Sequence, residues 1–151
     1  MREAIGGTWL FGIVIVFIVL FSGYLAISIN YTKAFKVKNE IISIIEECGN
    51  LAGDENTSGT TQYKINEALE NIGYYVYSTC SVESEGHISS SKGYKYCVTK
   101  RTSEGNLNKS YYKVTVFFRL DLPIFGDLFV FPVSGETKAI INADDRNGTC
   151  N

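Results

Sequence analysis

The sequence predicts an α+β protein: a long N-terminal transmembrane helix that continues into an amphipathic stalk packed on a small antiparallel β-sheet. Three observations predict it. The N-terminal region holds a long apolar run without charge, the apolar spacing that follows is helical, and beyond residue 74 the spacing changes to two.

No Asp, Glu, Lys, Arg or His stands between Glu3 and Lys33, and the core of that gap is "TWLFGIVIVFIVLFSGYLAISI", residues 8 to 29. At about 1.5 Å per residue this run reaches about 33 Å, enough for a hydrocarbon core of about 30 Å. The apolar part of a secretory signal is about 7–15 residues, so a retained span fits better. Residues 1–32 are therefore read as the membrane helix and 33–151 as a single extracytoplasmic domain.

No Gly or Pro separates the span from the charged stretch "NYTKAFKVKNEIISIIEE". Tyr31, Ala34, Phe35, Ile41, Ile42 and Ile45 keep one stripe on a helix, with Lys38 interrupting it and Val37 and Ile44 at its edge or outside it. Gly49 supplies a left-handed cap after Cys48. The expected helix is one rod from residue 4 to 48, about 68 Å long. Residues 50 to 60 read as a loop, and Ile65, Ala68, Leu69 and Ile72 mark a short amphipathic helix over 61–72 between a Thr cap and Gly73.

Strands are expected between residues 74 and 142. "YYVYSTCSV" (74 to 82) and "GYKYCVTKR" (93 to 101) read as a hairpin around a polar loop. In "YYKVTVFFRLDL" (111 to 122), Tyr112, Val114, Val116, Phe118, Leu120 and Leu122 share one face, the pattern of a half-buried strand. Pro123 stops it, and "LFVFPV" to "TKAII" forms a last strand, bent or shared around Pro132 and Gly135. The result is a four-stranded sheet with its apolar face on the long helix.

Residues 33 to 151 carry 13 Lys+Arg against 15 Asp+Glu, a balance that argues against nucleic acid as a partner. Cys48, Cys80, Cys97 and Cys150 all follow the span, with no C-x-x-C spacing. An even number on one side of a membrane suggests two disulfides in an oxidising compartment. Of three pairings, Cys80–Cys97 across neighbouring strands and Cys48–Cys150 at the helix end are favoured. Lys33, Lys36 and Lys38 after the span would by charge alone put the domain in the cytoplasm. The cysteines, and glycosylation-type triplets at Asn30, Asn56, Asn108 and Asn147, point outward instead.

No constellation for catalysis, metal or cofactor binding emerges. His87 is the sole histidine and sits in a Ser/Gly-rich loop; Ser89, Ser90 and Ser91 lack a nucleophile's context. Glu46-Glu47, Glu83/Glu85 and Asp144-Asp145 lack calcium-loop spacing. Lys92, Lys95, Lys100 and Arg101 interleave with Tyr94 and Tyr96, a pattern that suits contact with nucleic acid or glycans and that an ordinary exposed hairpin strand explains equally well; ten tyrosines suit either adhesion or β-packing. The membrane run is more informative. Gly12 and Gly23 share a face, Gly23, Ala26, Asn30 and Ala34 form a ridge of small or weakly polar residues, and Thr8-xxx-Gly12 and Ser22-xxx-Ala26 permit close helix–helix approach.

The stretch "MREAIGGTWLFGIVIVFIVLFSGYL" followed by "NYTKAFKVKNEIISIIEE" resembles the TadE-like, pilin-like proteins of the tight-adherence pilus, and the overall plan is similar to that of type IV pilins and pseudopilins. The late segment "VTVFFRLDLPIFGDLFVFPVSGETKAI" resembles the ending of such proteins. The resemblance implies a pilin-like fold and a structural or minor subunit of such a pilus, or of a related secretion or conjugation apparatus. Its partners would be copies of itself or related pilins, the membrane and the pilus assembly machinery, with the C-terminal domain extracellular. Self-association would use Gly12, Gly23 and Ala26. In that family a glutamate near the start of the mature helix can neutralise a neighbour's amino terminus. Glu3 is the nearest candidate here, ahead of the apolar run, with Gly7 at the aligned position. The rival expectation is a membrane-tethered binding module that never polymerises and recognises glycan or protein through its tyrosine-rich sheet.

Overall fold

The computed structural model describes residues 2–53, 56–80, 89–90, 93–103, 109–122, 126–143 and 149–150. Helix α1 runs without a break from Arg2 to Cys48, and α2 spans Thr61–Ile72. The strands are β1 (Ser89–Ser90), β2 (Gly93–Tyr94), β3 (Tyr96–Thr102), β4 (Lys109–Leu122), β5 (Gly126–Glu136) and β6 (Ile140–Ile141). The class is α+β, with a small antiparallel sheet ordered β3-β4-β5 and β6 paired to the start of β4.

The chain changes from span to stalk within one helix because nothing in it breaks hydrogen bonding between residues 2 and 48. The buried stripe lies on Ala34, Val37, Ile41, Ile44, Ile45 and Cys48. This corrects the expected stripe, which left Val37 and Ile44 at the margin and counted Tyr31 and Phe35. Those two are 48% and 44% exposed, whereas Val37 is fully buried. Steps of three and four from Ala34 to Cys48 track the helical period more closely, and that line meets Val98, Tyr112, Val114 and Val116 of the sheet.

Helix α2 is bounded as its sequence predicts. The Thr60 side chain accepts the Tyr63 N–H, and Gly73 closes the helix at φ 66°, a left-handed cap. Ile65 and Leu69 bury its inner face in the common core.

The expected strand over 74–82 is not formed in its described part, Tyr74–Cys80. That segment makes a single β-bridge, Ser78 with Tyr94; residues 81 and 82 lie outside the described residues. The reason is local. The Tyr74 hydroxyl donates to the Phe117 carbonyl at 2.6 Å and accepts the Phe117 N–H at 2.8 Å. A side chain thereby occupies the β4 edge that a further strand would use, just past the Tyr96–Val116 pair where β3 begins.

The last strand also departs from expectation. β5 passes through Pro132 and Gly135 without interruption, and the break falls at Thr137–Ala139. Pro132 stands opposite Phe117, whose backbone polar groups face Tyr74, so the missing proline N–H removes no ladder bond to β4. Gly135 faces the long helix closely: a Cβ there would lie 2.9 Å from Ile42 Cδ1 and 3.0 Å from Lys38 Cδ. Between the pairs Lys113–Glu136 and Ser110–Ile140 the register gains one residue, a bulge. Thr137 holds it, donating its N–H to the Tyr112 carbonyl and accepting the Tyr112 N–H on Oγ1, each at 3.0 Å.

Candidate functional site

α1 is long and apolar enough to cross a membrane over its first half, and that half stands clear of the head. Trp9, Leu10, Phe17 and Leu20 are all more than 65% exposed. Thr8, Trp9, Gly12, Ile13 and Val16 line a shallow groove of about 370 Å³ on the helix surface. Gly12 makes that groove, since no atom lies within 4 Å of the position a Cβ would take.

The three glycine and alanine positions of the expected ridge do not share one environment. Gly12 is open, Gly23 is buried, and Ala26 is half-buried. Gly23, Ala26, Ile27 and Asn30 recur at helical spacing and lead directly to Ala34, which is 1% exposed. Their neighbours Ser22, Tyr24, Leu25 and Ile29 are exposed. The upper part of the ridge therefore continues the face on which this chain's own head packs. Glu3 stands in the first turn of α1, and its side chain lies outside the described part of the structure.

The head is fastened to the second half of α1 at several levels. Lys33 Nζ donates to the Gly73 carbonyl at 2.5 Å, so this cation closes the C-terminal end of α2. Higher up, Glu46 accepts the Lys138 N–H at 2.8 Å and pairs with its ammonium at 3.5 Å, fixing the Thr137 bulge. Glu47 pairs with Lys64 at 3.4 Å. The Tyr112 hydroxyl donates to Asn50 Oδ1 at 2.7 Å. Cys48 is bonded to Cys150, and Cys80 to Cys97, so the C-terminus is tied to the helix end and the Tyr74–Cys80 segment to β3. The exposed ion pairs add little energy; the apolar stripe and the disulfides hold the joint.

At the lower end of the head, aromatic rings meet the helix. Tyr31 and Phe118 are edge-on at 5.7 Å, Phe118 stacks on Phe131 at 5.3 Å, and Phe131 adjoins Phe129 at 6.0 Å. A cleft of about 200 Å³ opens beside them, lined among others by Asn30, Lys33, Tyr74 and Arg119. Sequence reasoning placed Phe118 on the core face but missed this cluster. The alternation Phe129, Phe131, Val133 in "LFVFPV" was the available signal.

The tyrosines divide by burial. Tyr74, Tyr96 and Tyr112 are buried, Tyr63, Tyr77, Tyr94 and Tyr111 half-buried, and Tyr24, Tyr31 and Tyr75 exposed. Most of them serve packing. Burial pushes the Tyr74 phenol well above its ordinary value, outweighing the opposite effect of its backbone hydrogen bond to Phe117. Lys95 is buried with its ammonium 5.9 Å from the Tyr75 ring, so the Lys/Arg–Tyr string of β2 and β3 is not one exposed face. On the outer sheet face, Thr99, Arg101, Lys113 and Thr115 line an open groove of about 410 Å³.

Among the described residues no group of His, Cys, Asp and Glu is placed to hold a metal ion. Ser89 and Ser90 form β1. His87, Glu83, Glu85, Ser91, Lys92, Asn108, Asp144, Asp145 and Asn147 lie outside the described residues; Asn30 is half-buried and Asn56 exposed. Comparison with protein-family models, with curated proteins and with solved structures finds no match to this chain.

Proposed function

We propose that this chain is a non-enzymatic, single-span structural or minor subunit of a type IV or tight-adherence-like pilus, or of a related secretion or conjugation apparatus. One observation carries the reading: an unbroken 47-residue helix whose apolar half is exposed and whose other half is locked to a folded head. A flexible tether would anchor a head equally well. A continuous helix instead transmits the position of the head to the apolar half, where like helices can pack.

The packing surface is the Thr8–Gly12 groove, where the absence of a side chain admits a neighbouring backbone. Gly23 and Ala26 serve the head's own seat on the helix, and Glu3 in this reading meets a neighbour's amino terminus. The head lies outside the cell membrane; its two disulfides suit an oxidising compartment. The pilin-like resemblance of the N-terminal stretch supports the same reading.

A second reading has one observation in its favour, the open groove on the outer sheet face with Arg101 and Lys113. It makes the chain a tethered binding module for glycan or protein. Replacing residues 8 to 29 by leucine separates the two. A tethered module keeps insertion, folding and ligand capture; a filament subunit keeps insertion and folding but no longer assembles.

A further inference from the structure

We propose that the rings of Phe129 and Phe131 on β5 lie in the outer polar–apolar boundary of the bilayer, against lipid. The head would then rest on the membrane beside its own helix. This inference rests on α1 spanning the membrane and is independent of filament assembly.

The depth follows from two fixed points. Tyr112 bonds to Asn50, just past the end of α1, and Phe118 meets Tyr31. Between those points α1 descends about 26 Å from Cys48 to Tyr31, and β4 descends about 20 Å, with side chains spanning the difference. β4 therefore runs down the helix toward the span. It continues four residues beyond Phe118 to Leu122, about 13 Å more, and β5 returns from Gly126.

Tyr31 stands two residues above Ile29, where the apolar run ends, so its ring belongs at the headgroup level. Phe129 lies two residues, about 7 Å, further down β5 than Phe131, at the acyl edge of that level. The burial of α1 agrees: Gly23, Ala26, Ile27 and Asn30 are covered on one face, while Gly12, about three turns or more further down, is open.

The outward side chains fit a lipid boundary. Phe129 is 58% exposed and Phe131 41%, and the register sets Phe129 opposite Leu120, below the Phe118–Phe131 pair; Val130, opposite Arg119, belongs to the other sheet face and lines the outer groove. In water this would be an uncovered aromatic patch. It is continuous, through Phe118 and Tyr31, with the exposed apolar surface of α1, which lipid already covers. Lys33, two residues above Tyr31, and Arg119, on the opposite sheet face next to Phe118, line the cleft beside the Tyr31–Phe118 contact, where lipid phosphates would lie.

Trp9 is the sole tryptophan, which makes a direct test simple. In the full chain carrying Trp9→Phe, a single reporter is introduced as Phe129→Trp or, at the far end of the head, as Ile141→Trp. Ile141 is also exposed, so both reporters are tolerated on the surface. Each variant is reconstituted at low density in phosphatidylcholine–phosphatidylglycerol vesicles brominated on the upper acyl chain. The expected result is an emission loss of about twofold for the Phe129→Trp variant and none for Ile141→Trp, as for a ring seated at the acyl boundary. Equal, unquenched emission from both, with Phe129→Trp open to aqueous iodide, overturns the proposal. So does a Phe129→Trp reporter shielded from both quenchers, which would show a second copy covering the patch.

Discussion

The Tyr74 hydroxyl satisfies both backbone polar groups of Phe117, at 2.6 and 2.8 Å. One side chain thus completes a ladder that β3 leaves open, and it joins the segment after α2 to the centre of the sheet. Tyr74→Phe keeps the ring but leaves a buried N–H and C=O without a partner. The expected loss is about 2–4 kcal/mol of unfolding free energy, read by denaturant titration of the full chain in detergent micelles.

The same residue predicts alkaline sensitivity. The folded state holds the Tyr74 phenol neutral above its ordinary value, so the unfolded chain releases this proton first. The stabilisation is complete below the unfolded value of about 10 and declines as pH rises through it, at up to about 1.4 kcal/mol per pH unit. Tyr74→Phe should lose this component of the pH dependence, so the difference between the two proteins should shrink above pH about 10.

The disulfides should differ in weight. Cys48–Cys150 closes 102 residues and Cys80–Cys97 closes 17. By chain entropy the first is worth about 4–5 kcal/mol and the second about 3. Replacing both cysteines of each pair by serine and measuring thermal unfolding in micelles should show the larger drop for the Cys48–Cys150 pair.

Two glycines separate folding from assembly. Gly135→Val places atoms against Ile42 and Lys38 and should destabilise the head by about 1–3 kcal/mol. At Gly12 an added Cβ meets nothing within 4 Å, so Gly12→Leu should leave unfolding unchanged. It should nevertheless fill the Thr8–Gly12 groove and abolish filaments, which electron microscopy of cells making each variant would reveal.

Much of this architecture was legible in the sequence. The uncharged run, Gly49 and Gly73 as helix stops, and the alternation of Tyr112, Val114 and Val116 are local signals that tertiary structure did not override. The stripe on α1 was misplaced because Tyr31, though it touches Phe118, and Phe35 both stay about half exposed, while Lys38 extends alongside the Phe35 ring, 4.1 Å from its centroid. The strand expected from Tyr74 was misread because β-propensity describes side chains that pack on a sheet. Here one of those side chains bonds to the sheet edge in place of its own backbone. The small-residue ridge was visible, but its division between an open Gly12 and a buried Gly23 is a tertiary property.

Continuity of α1 is itself testable. Tyr31→Pro breaks the helix between span and head, where the apolar run already ends. Membrane insertion should persist by fractionation, while filament assembly is lost. Normal filaments in this variant would count against a rigid coupling of head to span.

The most direct measurement is immunogold electron microscopy of intact cells that make the native protein, with antibody against residues 33 to 151. The account predicts gold on surface filaments, along their length for a major subunit or at their ends or bases for a minor one. Gold scattered over the envelope, with no filament beneath it, would contradict assembly through α1 and leave a tethered head.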